Sequence, residues 1–190
     1  MTWHLQNEGH AVNEKRIRRL MRLMRLMPIY QKPNTSKPAK GHKTYPYLLG
    51  GLRIDRPNQV SRADITYLPM RKGFLYLVAI VDWFTRKLLA WCISDTLEAE
   101  FCLEALNEAI HKFGPPEIMN TYQGSQFTSF DWTDRLRRAK NKISMDSKAR
   151  YLDNIFIERL WRSLKYECVY LHAWETGSQA RAGVGRWITF

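Results

Sequence analysis

Cysteine is scarce: Cys92, Cys102 and Cys168 are the only three, and no two form a CxxC pair. An odd number argues against a disulfide framework, so a reducing, cytoplasmic setting is the expectation. The five histidines do not stand at zinc-site spacing from the cysteines. No apolar run approaches the roughly 18 residues of a membrane span, so no membrane partner is expected. The longest run, Phe74 to Val81, has the length and β-branched content of a buried strand. Residues 1–10 are polar and lack a signal-peptide pattern. What remains is a chain of 190 residues, 45% hydrophobic and 13% aromatic, enough for one packed domain of ordinary size.

Charge is unevenly placed. Of the net +12, residues 1–60 supply +9, with 12 Lys/Arg against 3 Asp/Glu. Such a distribution points to a polyanion-binding arm on a near-neutral domain, or else to a solvated basic tail. Within the arm, Arg-Leu-Met occurs three times in a row between Asn13 and Met27. Ile17, Leu20, Met21, Met24 and Met27 form an apolar stripe, with Arg16, Arg19 and Arg22 among the flanking cations. Asn13 caps this basic amphipathic helix and Pro28 stops it. DNA, an anionic membrane surface or a partner helix would each suit it. The spacing therefore divides the chain into a basic helical segment at 1–30, a Pro-rich linker at 31–58 and a domain at 59–190. A boundary near Asn58 is expected.

From Arg62 onward the pattern is that of regular elements. Ala63–Leu68, Phe74–Val81 and Arg86–Ile93 read as three strands, and Leu97–Phe113 as a helix ended by Gly114-Pro115-Pro116. A short strand over Glu117–Thr121, a helix over Ser129–Ala139, a strand over Lys142–Met145 and a last helix over Ser178–Ile188 follow. Between them lies the stretch from Asp153 to Glu167. Ile157, Leu160, Trp161 and Leu164 make its buried stripe, and Asp153 is a plausible N-cap. Asn154, Glu158, Arg162 and Lys165 share a second stripe, an acid flanked by an amide and two cations. A surface helix with a Glu–Arg pair explains it equally well. The order of strands and helices is that of an α/β, ribonuclease H-like mixed sheet flanked by helices, an order that other mixed folds share.

Several blocks resemble one family. Ala63-Asp64-Ile65-Thr66-Tyr67, Phe74–Trp83 with Arg86-Lys87, Asn120–Ser129 and Leu152–Glu167 are similar to the catalytic core of insertion-sequence transposases of the DDE, retroviral-integrase type. The resemblance runs over almost the whole chain and implies the ribonuclease H-like fold. It implies DNA as partner, and magnesium or manganese held by Asp64 and Glu158. It also implies two-metal phosphodiester hydrolysis followed by strand transfer. Lys165, and more weakly Arg162, would contact the DNA backbone. Self-association, or mixed assembly with an intact transposase, follows from the same likeness.

Tyr122 breaks the pattern. It stands where the family carries its second aspartate, with 35 residues between it and Glu158. A neutral phenol cannot do the work of a carboxylate on a hard cation, and its ring is expected to fill the third corner of the site. Neither Asp131 nor Asp134 offers a substitute. Ser61-Arg62, Ser147 and Ala149 depart from the family as well. Set beside the family pattern, the chain is expected to start after the helix-turn-helix portion and to stop inside what should be the last helix. The expectation is a DNA-binding transposase relative that has lost catalysis. The alternatives are a non-catalytic DNA-binding protein that interferes with intact transposase, and a basic membrane-surface or ribosome-associated protein.

Overall fold

The computed structural model describes residues 2–24, 43–71, 73–146 and 155–189. Residues 1–37 and 38–190 form two separate compact units. Among the described residues of the first, α1 (Thr2–Asn7) and α2 (Glu14–Leu23) are the regular elements. Asn13 accepts a hydrogen bond from the Arg16 backbone N–H at 2.8 Å, which is the expected cap. Glu14 pairs with Arg18 at 2.6 Å one turn on. Met27 and Pro28 lie outside the described residues.

In the second unit a five-stranded sheet has the order β3-β2-β1-β4-β5. Its strands are β1 (Val60–Pro69), β2 (Phe74–Asp82), β3 (Leu88–Ser94), β4 (Ile118–Thr121) and β5 (Lys142–Met145). The first three are antiparallel neighbours; β1–β4 and β4–β5 are parallel. The third strand starts at Leu88 rather than at the expected Arg86. The Asp82 carboxylate takes the Thr85 N–H and hydroxyl, the Arg86 N–H bonds to the Asp82 carbonyl, and Arg86 itself adopts φ 63°, so the turn runs two residues longer.

Strand alternation sorts the core onto two faces. Val78 and Ile80 of β2 meet α3 (Glu100–Phe113) and α4 (Phe130–Arg138) through Phe101, Leu106, Trp132 and Leu136. Leu77, Ala79 and Val81 meet α5 (Ile155–Glu167) and α6 (Gly177–Thr189) through Ile157, Trp161, Leu164 and Val184. The apolar stripe that the sequence marks on α5 is the one that is buried, with Leu160 only partly covered.

Among the described residues, those from 43 to 59 ahead of β1 form no regular element, yet the apolar ones are used. Leu49 is buried with Val60 and Ile118, and Tyr47 and Ile54 pack beside them. Residues 47–54 thus contribute to the packing of the second unit. Among the described residues no helix is long and apolar enough to cross a membrane.

Candidate functional site

Asp64 lies within β1, directly opposite Ala79 of β2, and Arg62 lies opposite Val81. Residues opposite one another in an antiparallel pair share a face. Both side chains therefore sit on the face that α5 covers. From α5, Trp161 donates its indole N–H to Asp64 Oδ2 at 2.8 Å. Glu158 is one helical turn before Trp161 and exposed.

Burial raises the Asp64 pKa above the ordinary carboxylate value. The Trp161 hydrogen bond and the positive charge of Arg62 oppose that rise, and the negative charge of Glu158 adds to it. Of these influences the Glu158 charge is the smallest.

Tyr122 follows β4. Arg62 is the last β1 residue paired with β4, opposite Asn120, and Tyr122 follows two residues on. Its phenol is held above the ordinary tyrosine pKa, first by burial and then by the Asp64 charge. The ring does not stand free between the acids, the position that the family pattern implies for it. It packs edge-to-face on Phe127 with centroids 5.1 Å apart and against the cluster under α3 and α4. It also crosses Gly124 so closely that a Cβ there would overlap it. Burial of aromatic surface explains this choice. The glycine reads in sequence as an ordinary turn residue; what it supplies is room for the ring.

A divalent ion finds a poor set of donors. Asp64 has one oxygen committed to Trp161, Tyr122 is a neutral phenol, and Glu158 stands exposed. Among the described residues no group of three or more His, Cys, Asp or Glu is placed to hold a metal. Two acids and a phenol do not fit a pair of hard cations, which need several anionic oxygens.

Arg162 is exposed, its guanidinium 5.9 Å from the Tyr166 ring, and Lys165 is half-buried. With Glu158 they lie along one side of the buried α5 stripe. Arg16, Arg19 and Arg22 are exposed on α2, in the other unit. Asp153, Asn154, Ser147 and Ala149 fall outside the described residues.

Three participants are not evident from the sequence. Trp161 reads there as core alone, yet its N–H reaches Asp64. Arg62 reads only as a departure from the family; it is fully buried and ion-paired with Asp146 at 2.6 Å. Asp146, at the end of β5, carries no motif of its own. A cation within a strand is the available signal, since a buried arginine demands an acid.

Residues 54–150 match the integrase core domain family. The chain is 32% identical over 134 residues to the transposase for insertion sequence element IS904 of Lactococcus lactis subsp. lactis (strain IL1403), covering 70% of this chain and 53% of that protein. It is 34% identical over 116 residues to transposase InsF for insertion sequence IS3A of Escherichia coli (strain K12), covering 60% and 40%. The chain thus spans about half the length of the curated relatives it matches. The HTLV-2 integrase catalytic core domain in complex with magnesium (trimeric form) aligns with a TM-score of 0.50 at 22% identity, over 58% of this chain and 68% of that one. A simian T-cell lymphotropic virus intasome in complex with PP2A regulatory subunit B56 gamma gives 0.54 at 20%, over 68% and 46%. At these identities the likeness is one of fold, the ribonuclease H-like sheet.

Proposed function

The chain belongs to the integrase core domain family, and on that premise we propose that it is a transposition-related, DNA-binding protein whose strand-cutting chemistry is lost. The observation that carries this reading is Tyr122 beside Asp64: a neutral phenol anchored on Phe127 where a third carboxylate would be needed. In relatives of this type the implied divalent metal would supply the charge that activates phosphodiester attack; the donors of this chain do not fit it.

DNA is the proposed partner, and its phosphates are what the exposed cations suit. Arg16, Arg19 and Arg22 on α2 form one basic stripe; Arg162 and Lys165 on α5 form another beside the acids. A guanidinium or ammonium on phosphate releases counterions, so binding of this kind weakens steeply with salt. The protein would act in the cytoplasm. Self-association, or mixed assembly with an intact transposase, is the route by which it would interfere with transposition.

The test is a nicking and strand-transfer assay with Mg²⁺ or Mn²⁺, run on this chain and on Tyr122→Asp. The unmodified chain is expected to bind DNA and yield no product. Cleavage by the unmodified chain that disappears in Glu158→Gln would overturn the reading.

A further inference from the structure

Arg62 is a cation where the fold has no evident need of one. It lies in β1 two residues before Asp64 on the same face, about 7 Å along the strand. Its side chain is 0% exposed. A buried guanidinium is costly unless paired, and its pairing here is specific. The Arg62 Nη2 donates to Asp146 Oδ2 at 2.6 Å, and the Asn120 amide donates to Asp146 Oδ1 at 3.0 Å. Both Asp146 oxygens are thereby engaged. The Nε and Nη1 of Arg62 have no hydrogen-bond partner, and neither has Asn120 Oδ1. The guanidinium lies 6.0 Å from the Trp83 ring. The cluster spans β1, β4 and the end of β5, next to the pocket that holds Asp64.

We propose that Arg62 is the resident cation of this carboxylate pocket, doing with a fixed side chain the neutralisation that a divalent ion would otherwise provide. This inference rests on the preceding reading that the pocket no longer works with metal, and it adds a barrier independent of Tyr122. Although paired with Asp146, the guanidinium lies two residues from Asp64 on the same strand face and stabilises its negative charge, which lessens the gain from binding a cation there. Its ion pair also ties up Asp146, which follows β5 and whose backbone N–H bonds to the Thr121 carbonyl just before Tyr122. Restoring an aspartate at position 122 therefore supplies a third carboxylate but leaves the space already compensated.

Manganese binding by the full chain, followed by electron paramagnetic resonance and calorimetry, tests this. The unmodified chain, Tyr122→Asp, and Tyr122→Asp combined with Arg62→Met and Asp146→Asn are compared, with circular dichroism to check folding. No saturable binding is expected for the unmodified chain, and the triple variant is expected to bind at least tenfold more tightly than Tyr122→Asp. Equal affinity of those two variants overturns the role given to Arg62 while leaving the reading of Tyr122 intact. Tight binding by the unmodified chain, lost in Glu158→Gln, overturns both. Thermal unfolding provides a readout without metal: Arg62→Met is expected to lower Tm more than Arg62→Met with Asp146→Asn. Additive losses would contradict the pairing.

Discussion

Trp161 and Asp64 are 97 positions apart in the chain, and the hydrogen bond between them partly offsets the effect of burial on the acid. An indole N–H on a half-buried carboxylate is worth about 1–2 kcal/mol. Trp161→Phe keeps most of the ring packing with Leu164 and Ile157 while removing the donor. Chemical denaturation should show a destabilisation of about that size, and one below a few tenths of a kcal/mol would mean the bond is not formed. The pH dependence has a definite sign. With the Asp64 pKa raised in the fold, the folded chain holds more protons than the unfolded chain between the ordinary carboxylate value, about 3.9, and the raised one. Stability therefore falls as pH rises through that window and is level above it. Asp64→Asn should raise Tm at pH 7 and give no gain at pH 3. Tyr122 behaves in the same sense at the alkaline end: the ultraviolet titration step that disappears in Tyr122→Phe should lie above the ordinary tyrosine value, about 10. A missing step at the ordinary value would place Tyr122 in water.

At the level of elements, α5 and the Tyr122–Phe127 turn do most to shape the site. The α5 stripe is legible in the sequence because apolar residues at helical spacing have few other uses, and Ile157, Trp161 and Leu164 are indeed buried. The strands are legible from alternation, except that the start of β3 depends on how Asp82 captures the turn before it, a side-chain event that alternation does not encode. The partnership of Arg62 with Asp146 is not legible either, because 84 residues separate them and only the sheet order brings β1 and β5 within reach. Gly124 reads as a generic turn residue, and its importance comes from the tyrosine ring lying on it. Gly124→Ala should cost about 1–3 kcal/mol by overpacking. Adding Tyr122→Ala should relieve most of that cost, and a double variant no better than additive would show that the ring lies elsewhere.

For the molecule as a whole, charge and fold make separate contributions. The sheet and its helices bring Trp161 of α5 onto Asp64 of β1; the net +12 would attract a polyanion. Replacing Arg16, Arg19 and Arg22 together by Gln should weaken DNA binding and lower the slope of log affinity against log salt by about 0.9 for each phosphate no longer neutralised. An unchanged slope would remove α2 from the DNA interface. The most direct test of the central claim is anomalous diffraction at the manganese edge from crystals of the unmodified chain soaked in Mn²⁺. The account predicts no peak between Asp64 and Glu158. A peak coordinated by both carboxylates would contradict it.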